Sequence, residues 1–272
     1  MTGMVACHRV ELGRLKVLKY WICYSRTSVS VFLRLQWAFR ESVVFWLLSD
    51  FLSPVIYFLV WSQVVSVPHQ QLATYYVSVI LTRQFVEEWI VWAMAPEIEA
   101  ERFDPQMIKP VSPLIHYFTS NVAHKVFKAP LFILLLLTLV WMRGPSSQAL
   151  VEAVIYVWTC VVGLVILHLL GYTIAILGFV VRRVTHIYTV VDGLRVLFSG
   201  EFAPVIFFPD FLQSAALFSP HWWAIGLPIQ IISGSTPSAA LPLALVVQFG
   251  VAVIMAVVQT WVSRWALNRW AG

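Results

Sequence analysis

Four ionisable residues stand inside apolar runs, where charge is expensive: Asp50 in "WLLSDFLSP", and Arg83, Glu87 and Glu88 in "TRQFVEEW". A charged side chain away from water must find a counter-charge or pass its proton on. Arg83 and Glu87 are four apart, so on a helix they share a face and can pair. Glu88 points about 100° away from Glu87 and needs another partner. Two kinds of chemistry fit this intramembrane polar cluster of Asp50, Arg83, Glu87 and Glu88. It is a substrate or proton relay, or it is a set of ion pairs that fixes helix packing. Asp192 and Arg195, three apart, read as a further pair, near the cytoplasmic leaflet.

Other residue types offer less. His116 and His124 are separated by about 12 Å of helical rise, too far for one tetrahedral metal. His168 lies alone in an apolar run and reads as a core histidine. Cys7, Cys23 and Cys160 show no metal spacing. No metal site and no catalytic residue is expected. The chain has no GxxxxGK[ST] loop to cradle phosphate, no GxSxG elbow and no HExxH. No cofactor is expected in this chain, and any ATP chemistry belongs to another polypeptide. Nothing in it points to nucleic acid.

Composition fixes the setting in which these charges act. The chain has 272 residues, 60% of them hydrophobic and 11% charged, against about 25% charged in soluble domains. Thirteen Trp, eighteen Phe and nine Tyr add a large aromatic load. Lipid must replace much of the core. The expected fold class is all-α, a polytopic membrane protein. With about 20 apolar residues needed per span, six spans are expected, near 42–66, 71–95, 120–142, 149–181, 185–208 and 239–264.

The flanks are read in the same way. Residues 1–41 hold seven basic residues among apolar ones, which fits an amphipathic segment lying on an anionic membrane face. The loop at 67–70 and the segment 199–240 carry no Lys or Arg. Basic residues gather instead at the N-terminus, at Arg102, Lys109, Lys125, Lys128, Arg182 and Arg183, and at Arg264 and Arg269. That asymmetry places both termini in the cytoplasm. The segment 199–240 is apolar but broken by Pro204, Pro209, Pro220 and Pro228. It is expected to form re-entrant outer helices between spans five and six, with Trp222 and Trp223 at the outer interface. One membrane domain, 1–272, accounts for the whole chain.

The remaining polar stretch, "PEIEAERFDPQMIKPVSPL" at 96–114, falls on the cytoplasmic side in this reading. Its "ERFDPQMIKPVSPL" resembles a loop motif of the ABC-2 family of ABC transporter permeases. The matching positions are Phe103, Asp104, Ile108, Lys109, Pro110, Ser112, Pro113 and Leu114. "FSGEFAPVIFFPDFL" (198–212) resembles that family's outer segment, and the closing "RWALNRWAG" resembles its short basic tail. Many relatives carry Gly where this chain has Glu101 or Arg102.

The resemblance implies a permease subunit of an ATP-driven exporter in a bacterial plasma (inner) membrane. Its substrate would be an amphiphile: a lipid, a glycan or a drug-like molecule. The partners it implies are an ATP-binding ABC subunit dimer carrying ATP and Mg, a second permease (identical or related), and membrane lipid. Segment 96–112 would be the coupling element, with Glu97, Glu99, Glu101, Arg102, Phe103, Asp104 and Lys109 docking on the ATPase. The alternative is a proton-coupled secondary transporter working through Asp50, Arg83, Glu87 and Glu88, with no ATPase.

Overall fold

A computed structural model describes residues 14–103, 111–144, 146–181 and 183–271. Asp104, Ile108, Lys109 and Pro110 of the coupling motif, and Arg182, lie outside the described residues. Every regular element among the described residues is helical, as the composition requires: in lipid each backbone N–H and C=O must be satisfied within the chain. The main helices are α1 (Arg14–Ala38), α2 (Arg40–Val64), α3 (His69–Val86), α4 (Ile90–Glu99) and α5 (Pro113–Arg143). They continue with α6 (Ser147–Ile176), α7 (Val184–Phe198), α8 (Asp210–Phe218), α9 (Leu227–Ile232) and α10 (Leu241–Ala271).

Four helices are long and apolar enough to cross a membrane: Arg40–Val64, Pro113–Arg143, Ser147–Phe179 and Ser238–Trp270. They match the expected first, third, fourth and sixth spans. The other two expected spans come out differently. Residues 71–95 form two helices, α3 and α4, separated by non-helical Glu87, Glu88 and Trp89. Residues 185–208 hold α7, which rises about 22 Å and stops at Phe198, and a single 3₁₀ turn, Val205–Phe207. In both places the local reason is polar. At the first break, the carbonyl of Glu87 accepts from the Lys125 ammonium, and the Glu88 carboxylate accepts the Ile90 N–H at 2.8 Å. After α7, Gly200 adopts φ +84°, a left-handed turn that glycine takes freely. Its carbonyl receives the Tyr75 hydroxyl at 2.7 Å. Trp61 and Tyr76 both donate to the Phe202 carbonyl at 2.9 Å. Residues 200–202 are thus tied to α2 and α3.

The hub is α6. Of its apolar centre, 78% is buried within the chain, against 11% for α2, 22% for α5 and 17% for the helix ending at Trp270. Helices α3, α4, α5, α9 and α10 all pack on it. The segment 222–232, a five-residue π turn running into α9, lies buried against the same helix. Gly163 permits the approach: a Cβ there would stand 2.2 Å from the Ala224 carbonyl oxygen. Gln248 of α10 staples both partners, donating to the Thr159 and Trp223 carbonyls at 2.9 Å. Trp222 is therefore buried rather than interfacial, and Trp223 is half-buried and donates to the Leu217 carbonyl.

Helix α1 is fastened along α5. Tyr24 hydrogen-bonds His116 at 2.7 Å, and Ser28 bonds Thr119 at 2.9 Å. The segment is helical over Arg14–Ala38, and some of its polar residues pair with α5.

Candidate functional site

Most of the charges singled out from the sequence converge. At the centre is Arg83 of α3, placed by helical periodicity one turn before Glu87. Its guanidinium lies 3.6 Å from Glu201, 3.7 Å from Glu87 and 3.9 Å from Asp50. Asp50 comes from α2 and is held from the other side by Lys128 at 3.2 Å and by the Gln84 amide at 3.1 Å. Glu201, 1% exposed, also takes Arg195, which is gripped in turn by Asp192 at 2.8 Å. A chain of alternating charge runs Lys128–Asp50–Arg83–Glu201–Arg195–Asp192 across α5, α2, α3, the turn after α7, and α7. Away from water such alternation offsets the desolvation of each member.

The two arginines are held differently. Arg195 has close contacts to two carboxylates. Arg83 is shared among three at distances too long for good hydrogen bonds, and its Nε has no hydrogen-bond partner. The network lines a cavity of about 520 Å³. Trp46, Trp89, Trp92 and Tyr188 form the aromatic part of its wall, and His221 closes one side. Glu88 also lines it, its carboxylate passing α6 at Gly171, where a Cβ would come within 2.2 Å of Oε1.

Of the four residues singled out by sequence, Asp50, Arg83 and Glu87 meet. Glu88 turns away to the Ile90 N–H. The Asp192–Arg195 pair is present, but it sits near the C-terminal end of α7 and is joined to Glu201, not isolated at a leaflet. Lys125 and Lys128 read from the sequence as cytoplasmic-side cations at the start of the third span. They lie mid-way along α5, buried, with Asp50 and the Glu87 carbonyl as partners. Their three-residue spacing within an uninterrupted apolar helix starting at Pro113 was the available signal. Glu201 gave no helical signal: Arg195 lies six residues back across the turn after α7, off any helical spacing, and Arg83 is remote in sequence. Among the described residues, no three His, Cys, Asp or Glu side chains gather as metal ligands.

The segment after α4 divides into inward and outward residues. Glu97 accepts from the Tyr117 hydroxyl at 2.8 Å, tying α4 to α5. Glu99 accepts from the Thr185 N–H at 3.1 Å and hydroxyl at 2.9 Å. It thereby supplies the first turn of α7 with a capping carboxylate. Phe103 is buried edge-on to Phe179, with 5.5 Å between centroids. Glu101, at φ +55°, and Arg102 are exposed. A cavity of about 750 Å³, lined by Glu99, Glu101, Phe103, Arg183 and Trp270 among others, opens beside them. Phe103 is thus an internal fastener, Glu97 and the exposed Glu99 tie α4 to α5 and α7, and Glu101 and Arg102 are exposed charges.

No curated protein and no solved structure matches the chain. A family model does, over residues 37–272, almost everything after α1. With membrane-length helices around a hub and a fastened motif segment beyond α4, that match makes the chain a multi-pass membrane protein belonging to the family described as ABC-2 family transporter protein.

Proposed function

We propose that this chain is the permease subunit of an ATP-driven ABC exporter in a bacterial plasma membrane, paired with a second permease and driven by two ATP-binding subunits that carry ATP and Mg. One observation carries the coupling role. The motif segment is anchored at Phe103, and Glu99 just before it caps α7, the helix that ends in Arg195 and the charged network. A push on the segment therefore has a short rigid route to the intramembrane charges. Closure of ATP-bound partners would bias the permease between inward- and outward-facing states.

In this reading both termini and segment 96–112 are cytoplasmic, six passes are completed by the broken α3–α4 unit and by α7 with the turn after it, and 199–240 is re-entrant from outside. The basic residues still support that orientation after Lys125 and Lys128 are removed from the count, because the N-terminal cluster, Arg102, Lys109, Arg183, Arg264 and Arg269 remain on one side.

Two measurements test the proposal. Reversing Glu101, Arg102 and Asp104 together is expected to abolish co-purification of the ATP-binding subunit in mild detergent while membrane insertion stays normal. Charge complementarity at an interface sets partner choice and register. Retention of the ATPase by the triple reversal sinks the docking role. Gradient-driven transport by the chain reconstituted with no ATPase would favour the proton-coupled alternative. For topology, Phe218 is 91% exposed. A Phe218→Cys variant is expected to react with an impermeant maleimide from outside intact cells, and labelling only after the cytoplasmic face is opened would invert the orientation.

A further inference from the structure

The cavity of about 520 Å³ is walled by charge that does not balance. Four carboxylates line it, Asp50, Glu87, Glu88 and Asp192, with two guanidiniums, Arg83 and Arg195. Behind them stand Glu201, Lys125 and Lys128. Five carboxylates thus meet four cations, and one negative charge is left over. The surplus falls on Glu88. It is 8% exposed, and its Oε2 accepts the Ile90 N–H at 2.8 Å. Among the described residues, no ammonium or guanidinium stands within 4 Å of its carboxylate. A carboxylate held away from water with no counter-charge is strongly disfavoured. The negative wall is also reachable, since the side chains of Asp192 and Glu87 are 37% and 24% exposed.

The aromatic part of the wall narrows the occupant. Trp46 and Trp89 stand perpendicular with ring centroids 6.2 Å apart, and Trp92 and Tyr188 stand at 80° with centroids 5.6 Å apart. The two pairs converge from α2, the 87–89 break, α4 and α7. Trp46 and Trp92 are about half exposed, so packing does not seal their rings off. A cation is attracted to an aromatic face, more strongly where water is excluded. Such rings offer little to an inorganic ion that keeps its water. Among the described residues no cluster of His, Cys, Asp and Glu is placed to strip that water away. The rings suit a cation whose charge lies under methyl or methylene groups. Arg83 and Arg195 do not call for an anion, because each is already shared among carboxylates. We propose that this cavity binds an organic monocation, an ammonium or quaternary ammonium group seated between the two aromatic pairs and neutralising the charge left on Glu88. The permease reading leaves the charge of the cargo open, and the cavity assigns it a sign. As a stage on a transport route the site rests on that reading; as a binding site it does not.

The test uses the full chain in dodecylmaltoside micelles, with tritiated benzyltrimethylammonium as the probe and scintillation proximity as the readout. Saturable binding is expected. Choline should displace the probe, and its uncharged carbon isostere, dimethylbutanol, should not. Glu88→Gln is expected to weaken binding at least tenfold. It should leave the thermal midpoint unchanged or raised, because Gln keeps the size, still accepts the Ile90 N–H and removes an uncompensated charge. Trp92→Leu leaves every charge in place and should weaken binding about fivefold through the lost aromatic face. Didodecyldimethylammonium displacing the probe at least tenfold better than tetramethylammonium would assign the site to a lipid-borne cation, and a smaller advantage would assign it to a free one. No saturable binding, displacement by dimethylbutanol as readily as by choline, or affinity unchanged in both variants overturns the proposal. None of these results bears on ATPase co-purification, so failure here and failure of the permease reading are separable.

Discussion

Glu201→Gln is expected to cost about 3–5 kcal/mol of stability, the usual loss when one member of a buried charge set is removed. The side chain keeps its size, so packing is not the cause. Glu201 is the single carboxylate between Arg83 and Arg195, and its neutralisation leaves two guanidiniums facing each other in a low-dielectric setting. The check is a denaturant titration in mixed micelles. Asp192→Asn is the control: Asp192 contacts the same Arg195 but is 37% exposed, so solvent screening should hold its cost under about 1 kcal/mol. A double variant, Glu201→Gln with Arg195→Met, should recover part of the loss, because the uncompensated guanidinium is removed. A loss below about 1 kcal/mol for Glu201→Gln alone would mean that water reaches the network and that the alternation of charge is not what holds it.

Gly163→Val is expected to be the most damaging apolar change in the chain. In an ordinary helix interior, replacing Gly gains up to about 1 kcal/mol from backbone entropy. Here the new Cβ would meet the Ala224 carbonyl oxygen at 2.2 Å, its carbon at 3.0 Å and its Cα at 3.2 Å. All three are backbone atoms of the π turn, so no rotamer change relieves the clash. Overpacking normally costs about 1–3 kcal/mol, and an immovable neighbour puts this site at or above the upper end. The clash therefore outweighs the propensity gain, and even Gly163→Ala should lose stability. Gly250, with nothing within 4 Å of its Cβ position, should accept Ala at no cost in the isolated chain. Thermal unfolding of the three variants in detergent decides it. A Gly163→Val protein as stable as the parent would show that 222–232 does not pack on α6.

How much of this was readable from sequence depended on the range of each interaction. Long apolar runs announce themselves, and the helices at Arg40–Val64, Pro113–Arg143, Ser147–Phe179 and Ser238–Trp270 were found close to their true limits. Arg83 with Glu87, and Asp192 with Arg195, were legible because a helix brings residues three and four apart together. The break between α3 and α4 was not. Its apolar flanks look continuous, and what stabilises it is Lys125 from α5 and the space left by Gly171 in α6, both remote in sequence. The mid-helix position of Lys125 and Lys128 was not legible, because the helix starts at Pro113 and not at 120, and their partners Glu87 and Asp50 are remote in sequence. In the motif segment the string is legible, while the bonding of Glu97 and Glu99 and the burial of Phe103 depend on Tyr117, Thr185 and Phe179.

The buried position of α6 has one more consequence, and it concerns cross-section. A ring of helices encloses a bore; a ring with a helix on its axis does not. Here the C-terminal half of α6 is enclosed by its neighbours, its N-terminal half leaves Leu150, Val154 and Trp158 exposed, and α2, α5 and α10 turn most of their apolar surface outward. Flanks of this kind offer a neighbour apolar surface to bear on. If the chain works as the permease proposed above, the lumen would be a seam, bounded on one side by this chain and on the other by a second permease. The width of that seam would be set by how the two lean against each other.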